Sequence, residues 1–158
     1  MTTKSANAAS DMLLEHQLCF PLYAASRLVT RLYQPLLEPL GLTYPQYVVL
    51  MILWQDAPCS VSHLCNRALL NTNTLTPLLK RLAHLKYVTR TRRHDDERVM
   101  EINLTKAGLA LKQQCACIPQ QLFESIMYPA QKVLTLKKHL EEFIGVLQVA
   151  SVPVLSEE

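Results

Sequence analysis

The chain has 158 residues and a formal net charge of +3; 49% of its residues are hydrophobic and 18% are charged. This length suffices for one domain with a sizeable core, and the composition excludes a disordered protein. The longest apolar run, YVVLMILW, is far shorter than the roughly 20 residues of a membrane helix, so no membrane partner is expected. The start of the chain lacks the apolar segment of a signal peptide. Five cysteines are an odd number, which argues against a framework of structural disulfides. Both features favour a reducing, cytoplasmic location.

The N-terminal third is predicted to contain two helices after a disordered arm at residues 1–10. Residues 11–38 carry a helical apolar stripe in which Pro21 must either kink the helix or lie in its first turn. Thr43 is suited to cap the second helix, which has a proline in its first turn and runs to about Trp54.

The middle of the chain predicts two further helices and a hairpin. Ser60 is suited to cap a short helix that runs through Ala68, and Asn71 or Asn73 to cap a helix that runs to about Lys86. The segments YVTRTRR and RVMEINL then alternate like strands on either side of the polar tip HDDE, which predicts a β-hairpin.

The C-terminal part returns to helix. Thr105 is suited to cap a long helix that begins at Lys106 and is bent by Pro119, and Pro129 begins the last helix. The order of elements predicts a mainly helical fold with a small β-wing, a winged helix-turn-helix inside a helical frame. The last helix carries apolar residues at helical spacing, and the surface that they form is predicted to pack against another helix. These residues are Val133, Leu136, Leu140, Phe143 and Leu147.

The helix predicted at residues 74–86 has leucines on one side and amides, hydroxyls and cations on the other, which suit base edges and phosphates. The hairpin adds Arg90, Arg92, Arg93 and Arg98, so cations concentrate between residues 80 and 98 although the chain is nearly balanced. The alternative is a solvated amphipathic helix beside an ordinary hairpin. The candidate DNA-binding residues are Thr72, Asn73, Thr74, Thr76, Pro77, Lys80, Arg81, His84, Arg92, Arg93, Asp96 and Arg98.

The first long helix carries a polar row where apolar residues are usual. Cys19, Tyr23, Ser26, Thr30 and Tyr33 follow one another at spacings of four, three, four and three residues. The thiolate is the reactive form of cysteine, and phenol and hydroxyl donors stabilise it. The row is therefore a candidate redox site, the alternative being a buried cysteine that acts only as a small hydrophobic residue.

Four segments, LCFPLY, TYPQYVVLMILW, TLTPLLKRL and DDERVMEINLT, resemble the MarR family, and more narrowly its organic-hydroperoxide-sensing repressors, the OhrR-like branch. The resemblance covers roughly residues 14–120. The pattern Asp96-x-Arg98, five residues, Leu104-Thr105 is typical of the family, and the surroundings of Cys19 are typical of the branch. The family often has an acidic residue, a small residue and glycine ahead of Thr-Leu-Thr-Pro. This chain has Asn-Thr-Asn there. The departure bears on which DNA sequence the protein prefers rather than on how the helix enters the groove.

The resemblance implies a homodimer that binds a pseudopalindromic operator in double-stranded DNA. The helix at 74–86 would enter the major groove, and Arg98, oriented by Asp96, would reach the minor groove. The implied parts of one structural domain are an N-terminal dimerisation helix (11–42), the winged helix-turn-helix region (43–105), C-terminal dimerisation helices (106–150) and a tail (151–158).

In the family the reactive cysteine hydrogen-bonds two tyrosines of the partner subunit, and these match Tyr33 and Tyr44 here. Within one chain Tyr33 lies about 20 Å from Cys19 along a helix axis, so only an antiparallel two-fold contact would bring them together. Tyr23, one helical turn from Cys19, is a local candidate.

Some relatives also carry a second, resolving cysteine in the C-terminal region, for which Cys115 and Cys117 are candidates. The alternative is a mixed disulfide with a small thiol.

The expected function is a repressor, not an enzyme, that senses organic hydroperoxides through Cys19, releases its operator and needs no cofactor. Cys59 and Cys65 lack histidines at metal spacing, so no metal is expected. Two alternatives remain: a MarR-type repressor that binds a small aromatic or phenolic ligand, with Cys19 merely structural, and a thiol peroxidase. The chain has only three glycines and no phosphate loop or nucleophile motif, which disfavours enzymes.

Overall fold

A computed structural model of the protein describes residues 12–151, so the arm predicted at 1–10 and residues 152–158 of the predicted tail lie outside it. Its order of elements confirms the mainly helical fold with a small β-wing. The elements are a 3₁₀ turn (Leu14–His16), α1 (Cys19–Leu37), a second 3₁₀ turn (Glu38–Leu40), α2 (Tyr44–Asp56), β1 (Cys59–Ser60), α3 (Val61–Ala68), α4 (Thr72–His84), β2 (Val88–Arg92), β3 (Met100–Leu104), α5 (Lys106–Gln114), α6 (Ile118–Ile126) and α7 (Ala130–Ala150).

Side-chain caps begin most of the central helices where the sequence predicts them, because each cap satisfies an amide that the first turn leaves unpaired. Asn71, rather than Asn73, caps α4. The cap contacts are Thr43 N–H to Gln46 Oε1 (2.9 Å), His63 N–H to Ser60 Oγ (3.1 Å), Thr74 N–H to Asn71 Oδ1 (2.8 Å) and Gly108 N–H to Thr105 Oγ1 (3.0 Å).

The first helix begins later than predicted. Its periodicity extends back to residue 11, but Leu14–His16 form a 3₁₀ turn and α1 begins at Cys19. Pro21 consequently lies in the first turn of α1, one of the two places open to it, where the missing amide would have no helical partner in any case.

The wing has three strands rather than two, in the order β1-β3-β2. β1 pairs with β3 through Cys59 and Ile102, and β2 pairs with β3 from Val88 opposite Leu104 to Arg92 opposite Met100. A strand of two residues has no measurable alternation, so the sequence does not reveal β1. The tip spans residues 93–99 rather than HDDE alone.

The C-terminal helix predicted from Lys106 is not one bent helix. α5 ends at Gln114 and α6 begins at Ile118, with Pro119 in its first turn, whereas α7 begins after Pro129 as predicted. The chain forms two compact units, one up to Ile118 and one from Pro119 onward.

The core of the first unit lies among α2, α3, α4, β3 and α5 and includes Leu50, Leu64, Leu79, Ile102 and Leu111. Among residues 12–151 no single helix is long and apolar enough to cross a bilayer. One pair bent by 75°, Cys19–Leu40 with Tyr44–Asp56, meets the criteria of length and composition alone.

Gly108 permits a close contact between α5 and the chain that enters β2. The Nε1–H of Trp54 donates to Gly108 O at 2.9 Å, and a Cβ on Gly108 would collide with the backbone carbonyl of Tyr87. That carbonyl is held in place because it accepts from the amide of Thr105 at 3.0 Å, while the Thr105 hydroxyl donates to the preceding carbonyl, that of Lys86, at 2.6 Å.

Changing Gly108 to Ala should therefore destabilise the fold by about 3 kcal/mol or more, since the clash is with backbone. The control is Gly145→Ala in α7, where no atom lies within 4 Å of the new Cβ. That variant should be stabilised by up to about 1 kcal/mol through helix propensity. Thermal unfolding of both variants measures the difference, and equal melting temperatures would refute the close contact.

Candidate functional sites

Helix α4, predicted from the sequence to enter the major groove as a recognition helix, presents one polar face. Leu75, Leu79 and Leu82 are buried, which fixes the rotation of the helix about its axis. Pro77 lies inside the helix with its ring exposed. Thr76 is half-buried, and the other candidate side chains of the helix are exposed: Thr72, Asn73, Thr74, Pro77, Lys80, Arg81 and His84.

The helix-turn-helix is braced by a polar cluster that the sequence did not reveal. Asp56 Oδ2, at the end of α2, lies 2.7 Å from His63 Nε2 and 3.2 Å from Arg67 Nε, both on α3. The hydrogen bond from His63 holds the pKa of the Asp56 carboxyl below its ordinary value; burial opposes the shift and Arg67 assists it. These contacts link the end of α2 to α3, which immediately precedes the turn into α4.

The wing arginines are preordered by local contacts. Asp96 Oδ1 accepts from both the backbone amide and the Nε–H of Arg98, at 3.0 and 3.3 Å, while the Arg98 side chain stays 93% exposed. Arg93 pairs with Asp95 at 2.6 Å, and Arg92 donates to Glu97 O at 3.3 Å. Arg92 at the end of β2 and Arg93 and Arg98 in the tip thus present three exposed guanidinium groups beside three carboxylates, Asp95, Asp96 and Glu97. Guanidinium groups are suited to phosphates, but the charge of this segment is balanced.

Cys19 is an exposed thiol in the first turn of α1. Because α1 is one continuous helix, Cys19 and Tyr33 of the same chain lie about 20 Å apart along its axis. Tyr23 is 62% exposed, and its ring lies 6.0 Å from the guanidinium of Arg27. No hydrogen bond joins Tyr23 to Cys19 in the described chain. The local thiolate partner considered for Cys19 is therefore not in place within one subunit.

Tyr33 and Tyr44 come together although they belong to different helices. Their ring centroids are 4.7 Å apart, and Tyr47 lies 5.9 Å from Tyr33 on the other side. Burial raises the pKa of Tyr33, with a smaller contribution from Tyr44. Burial, with nearby Cys115 and other groups, raises the pKa of Tyr47 to about 12. These phenols remain protonated at neutral pH and so can donate hydrogen bonds to an anion.

A cavity of about 610 Å³ opens beside Tyr44, between α1 and the start of α2. Its walls mix two guanidinium groups with hydroxyl, amide and carboxylate side chains and with backbone. The lining residues are Arg27, Thr30, Arg31, Gln34, Glu38, Gly41, Leu42, Thr43, Tyr44 and Pro45.

The two C-terminal cysteines differ in accessibility. Cys115 is 2% exposed within the core, and burial, with a smaller contribution from Cys117, raises its pKa to about 11. Cys117 is exposed, and its thiol contacts Gln114 O at 3.9 Å. Among the described residues, no cluster of His, Cys, Asp and Glu could hold a metal ion.

Comparison with known proteins gives concordant matches. The family model described as "Transcriptional regulator SarA/Rot" matches residues 31–115. Over 113 residues the chain is 44% identical to the organic hydroperoxide resistance transcriptional regulator of Bacillus subtilis (strain 168), a match that covers 72% of this chain and 77% of that protein.

Solved structures of AbfR, a protein of Staphylococcus epidermidis, are also similar. Reduced AbfR bound to DNA matches with a TM-score of 0.68 and 33% identity, covering 93% of this chain and 99% of that chain. Overoxidized AbfR bound to DNA matches with a TM-score of 0.65 and 33% identity, covering 93% of this chain and 99% of that chain. Disulfide-formed AbfR matches with a TM-score of 0.58 and 34% identity, covering 92% of this chain and 97% of that chain. The reduced form of MarR from E. coli matches with a TM-score of 0.69 and 25% identity, covering 80% of this chain and 96% of that chain.

The burial of Cys115 predicts that the two neighbouring thiols react at very different rates. A thiol with a pKa of about 11 is only about one part in a thousand thiolate at pH 8, and thiolate is the form that alkylating agents attack. Brief iodoacetamide treatment of the native protein at pH 8 should label Cys117 well before Cys115. Peptide mass spectrometry measures both, and unfolding in urea should remove the difference. Equal native rates would contradict the burial of Cys115.

Proposed function

Because the chain belongs to the MarR- and SarA-type family of winged-helix, DNA-binding transcriptional regulators, we propose that it is a homodimeric repressor that senses organic hydroperoxides through Cys19. The observation that carries the proposal is the Tyr33–Tyr44 pair, whose ring centroids lie 4.7 Å apart. Cys19 of the same chain is separated from Tyr33 by most of α1. A second copy, running antiparallel along α1, supplies the thiol that the pair receives.

Exposed apolar side chains support the dimer. A lone folded chain rarely leaves so many large apolar residues in water, and two helices carry most of them. On α1 the exposed residues include Phe20, Leu28, Val29 and Leu32, and on α7 they include Leu134, Leu136, Ile144, Val146 and Leu147. Each helix thus offers a surface for a second copy. Two copies also supply the two recognition helices that a pseudopalindromic operator requires, with half-site centres roughly 10 bp apart.

The position of Cys19 supports its chemistry. The N-terminal end of a helix carries partial positive charge, which favours an anion in the first turn. Hydrogen bonds from the Tyr33 and Tyr44 phenols of the other copy add to that stabilisation. These two features would favour the reactive thiolate form at Cys19, whose thiol is exposed in the single chain.

The proposed oxidation proceeds in two balanced steps. The Cys19 thiolate attacks the outer peroxide oxygen, so an S–O bond forms and the O–O bond breaks. Sulfur loses two electrons, and the alkoxide takes a proton and leaves as an alcohol. A thiolate then attacks the sulfenic sulfur, forming a disulfide and expelling hydroxide, which is protonated to water. The attacking thiol is Cys117 of the other copy or a small thiol; the buried Cys115 is disfavoured.

The disulfide, rather than the added oxygen, is the proposed releasing state. AbfR has been solved bound to DNA both reduced and overoxidized, and separately with a disulfide formed. A disulfide draws two chain segments to within bonding distance, which a single added oxygen does not. Strain at the dimer contact then moves the two recognition helices out of register with the groove. Since operator binding needs both helices at once, a shift of a few ångströms releases the DNA.

One observation supports a second candidate. Arg27 and Arg31 line the cavity beside Tyr44, an arrangement that suits a small aromatic carboxylate or phenolate. In that case a phenolic acid would release the operator from reduced protein, including the Cys19→Ser variant. Titration of that variant with a phenolic acid separates this function from redox sensing.

The dimer is tested through the exposed face of α7. Wild-type protein should sediment as a dimer at micromolar concentration, with a melting temperature that rises with concentration. Leu136→Glu places a charge on the apolar register and should yield monomer or abolish folding. Gln131→Glu adds the same charge two residues before Val133, near the start of α7, and should leave the dimer intact. A folded wild-type monomer at micromolar concentration would contradict the dimer.

The sensing mechanism is tested with Cys19→Ser. The variant should bind the operator as tightly as wild type but stay bound after cumene hydroperoxide treatment, as measured by fluorescence anisotropy. Tyr33→Phe removes one phenol donor and should slow release by roughly tenfold, the effect of about 1.4 kcal/mol for a charge-assisted hydrogen bond. A Cys19→Ser protein that still dissociates from its operator on oxidation would contradict the mechanism.

The resolving thiol is identified on non-reducing gels of the oxidised protein. Cys117→Ser should remove the crosslinked dimer band, whereas the matched Cys115→Ser should retain it. If wild type shows no crosslinked band but still releases DNA in the presence of a small thiol, the mixed disulfide is the releasing state.

A further inference from the structure

The wing sheet carries an arginine on its core-facing side. In an antiparallel pair, residues directly opposite each other project from the same face of the sheet. Arg90 of β2 lies opposite Ile102 of β3, which is fully buried in the core. Two residues earlier on the same face, Val88 is 3% exposed. The stem of Arg90 therefore leaves the sheet on the side of the core rather than on the side of solvent.

The guanidinium of Arg90 is incompletely satisfied. Its Nε–H is shielded from solvent and donates to no acceptor among the described residues, and no carboxylate in that part of the chain forms an ion pair with it. The other wing arginines differ, since Arg92 at the end of β2 and Arg93 and Arg98 in the tip each contact an oxygen of the tip. A shielded donor without an acceptor is unfavourable, and an acceptor supplied by a bound ligand would remove that cost.

Arg90 also lies where the recognition helix meets the wing. β2 is an edge strand, and it follows α4 after a three-residue turn. Leu79 and Leu82 of α4 share the core with Val88 and Ile102, so the recognition helix adjoins the core face of the wing sheet. The half-buried Arg90 side chain thus belongs to the junction between the recognition helix and the wing, the two elements proposed to face DNA.

We propose that Arg90 is a DNA-backbone contact whose guanidinium binds an operator phosphate at the junction of recognition helix and wing. A guanidinium matches the phosphate oxygens in a bidentate geometry, and a packed stem loses little freedom on binding. The inference rests on the proposed operator binding and assigns one contact within it. The competing role is protective: an inward-pointing charge on an edge strand prevents pairing with another sheet and needs no DNA.

The test compares the salt dependence of operator binding in wild type and Arg90→Met, which keeps the stem and removes the charge. A dimer loses two phosphate contacts, so the slope of log K against log salt should fall by about 1.8, at about 0.9 per contact. Binding should weaken by a similar factor on operator and random DNA, because phosphates carry no sequence. Thermal stability should not fall, since the unsatisfied donor is removed.

Three matched variants make the result decisive. Lys112→Met in α5 removes one charge outside the recognition helix and wing and should leave the slope unchanged. Arg98→Ala, at the exposed tip, confirms that the assay detects a lost contact. Arg90→Lys should keep the slope while weakening binding, because the charge remains and the bidentate geometry is lost.

An unchanged slope in Arg90→Met, or loss of folding in that variant, overturns the proposal, because either outcome assigns Arg90 to the sheet rather than to DNA. Failure of wild type to bind any operator would instead refute the proposed function.

Discussion

A helix of fixed rise separates the thiol of Cys19 from the phenol of Tyr33, and the rest of the proposed mechanism depends on that separation. The two residues share one side of α1, yet about 20 Å of helix lies between them. Tyr33 can serve the thiol only in a second copy, and in each copy Tyr44 joins it from the start of α2. The proposed mechanism therefore places sensing and assembly at the same contact: the groups that would stabilise the thiolate would also hold the dimer, and modification of the sulfur would strain it.

The same tyrosines are continuous with the base of the wing. Tyr33 contacts Tyr47, whose ring centroid lies 6.1 Å from that of Trp54, and Trp54 donates to the carbonyl of Gly108. Gly108 in turn lies against the backbone that leads into β2. In this chain of aromatic contacts Tyr47 is buried, whereas Tyr33, Tyr44 and Trp54 are half-buried against the core. In the proposed mechanism, a displacement at these tyrosines would therefore act on packed side chains rather than on a loop.

The sequence predicted those parts of the fold that local chemistry determines. Ser60, Asn71 and Thr105 precede helices and carry capping oxygens, so the starts of α3, α4 and α5 could be predicted closely. The start of α1 could not, because its N-cap is Leu18, which has no capping side chain. β1 was missed because two residues define no periodicity. α5 was predicted too long because the apolar pattern continues through the break before Ile118.

The candidate site residues also divide into those that follow from local sequence and those that depend on the path of the chain. The polar face of α4 and the arginines of the wing follow from periodicity and composition, and the pairing of Asp96 with Arg98 lies within three residues. The contact between Tyr33 and Tyr44 depends on the path of the chain between two helices, including Gly41 at φ +66°. The placement of Arg90 depends on which face of a short strand meets the core. Neither could be derived from spacing alone.

Pro77 leaves one backbone carbonyl of α4 without its usual partner. Proline has no amide hydrogen, so the carbonyl of Asn73, four residues earlier in the first turn of α4, lacks its usual helical donor. The first turn of α4 is therefore held by one hydrogen bond fewer than the turns that follow it. The Asn71 side chain, which accepts from Thr74 N–H at 2.8 Å, correspondingly contributes more to holding the start of this helix in place.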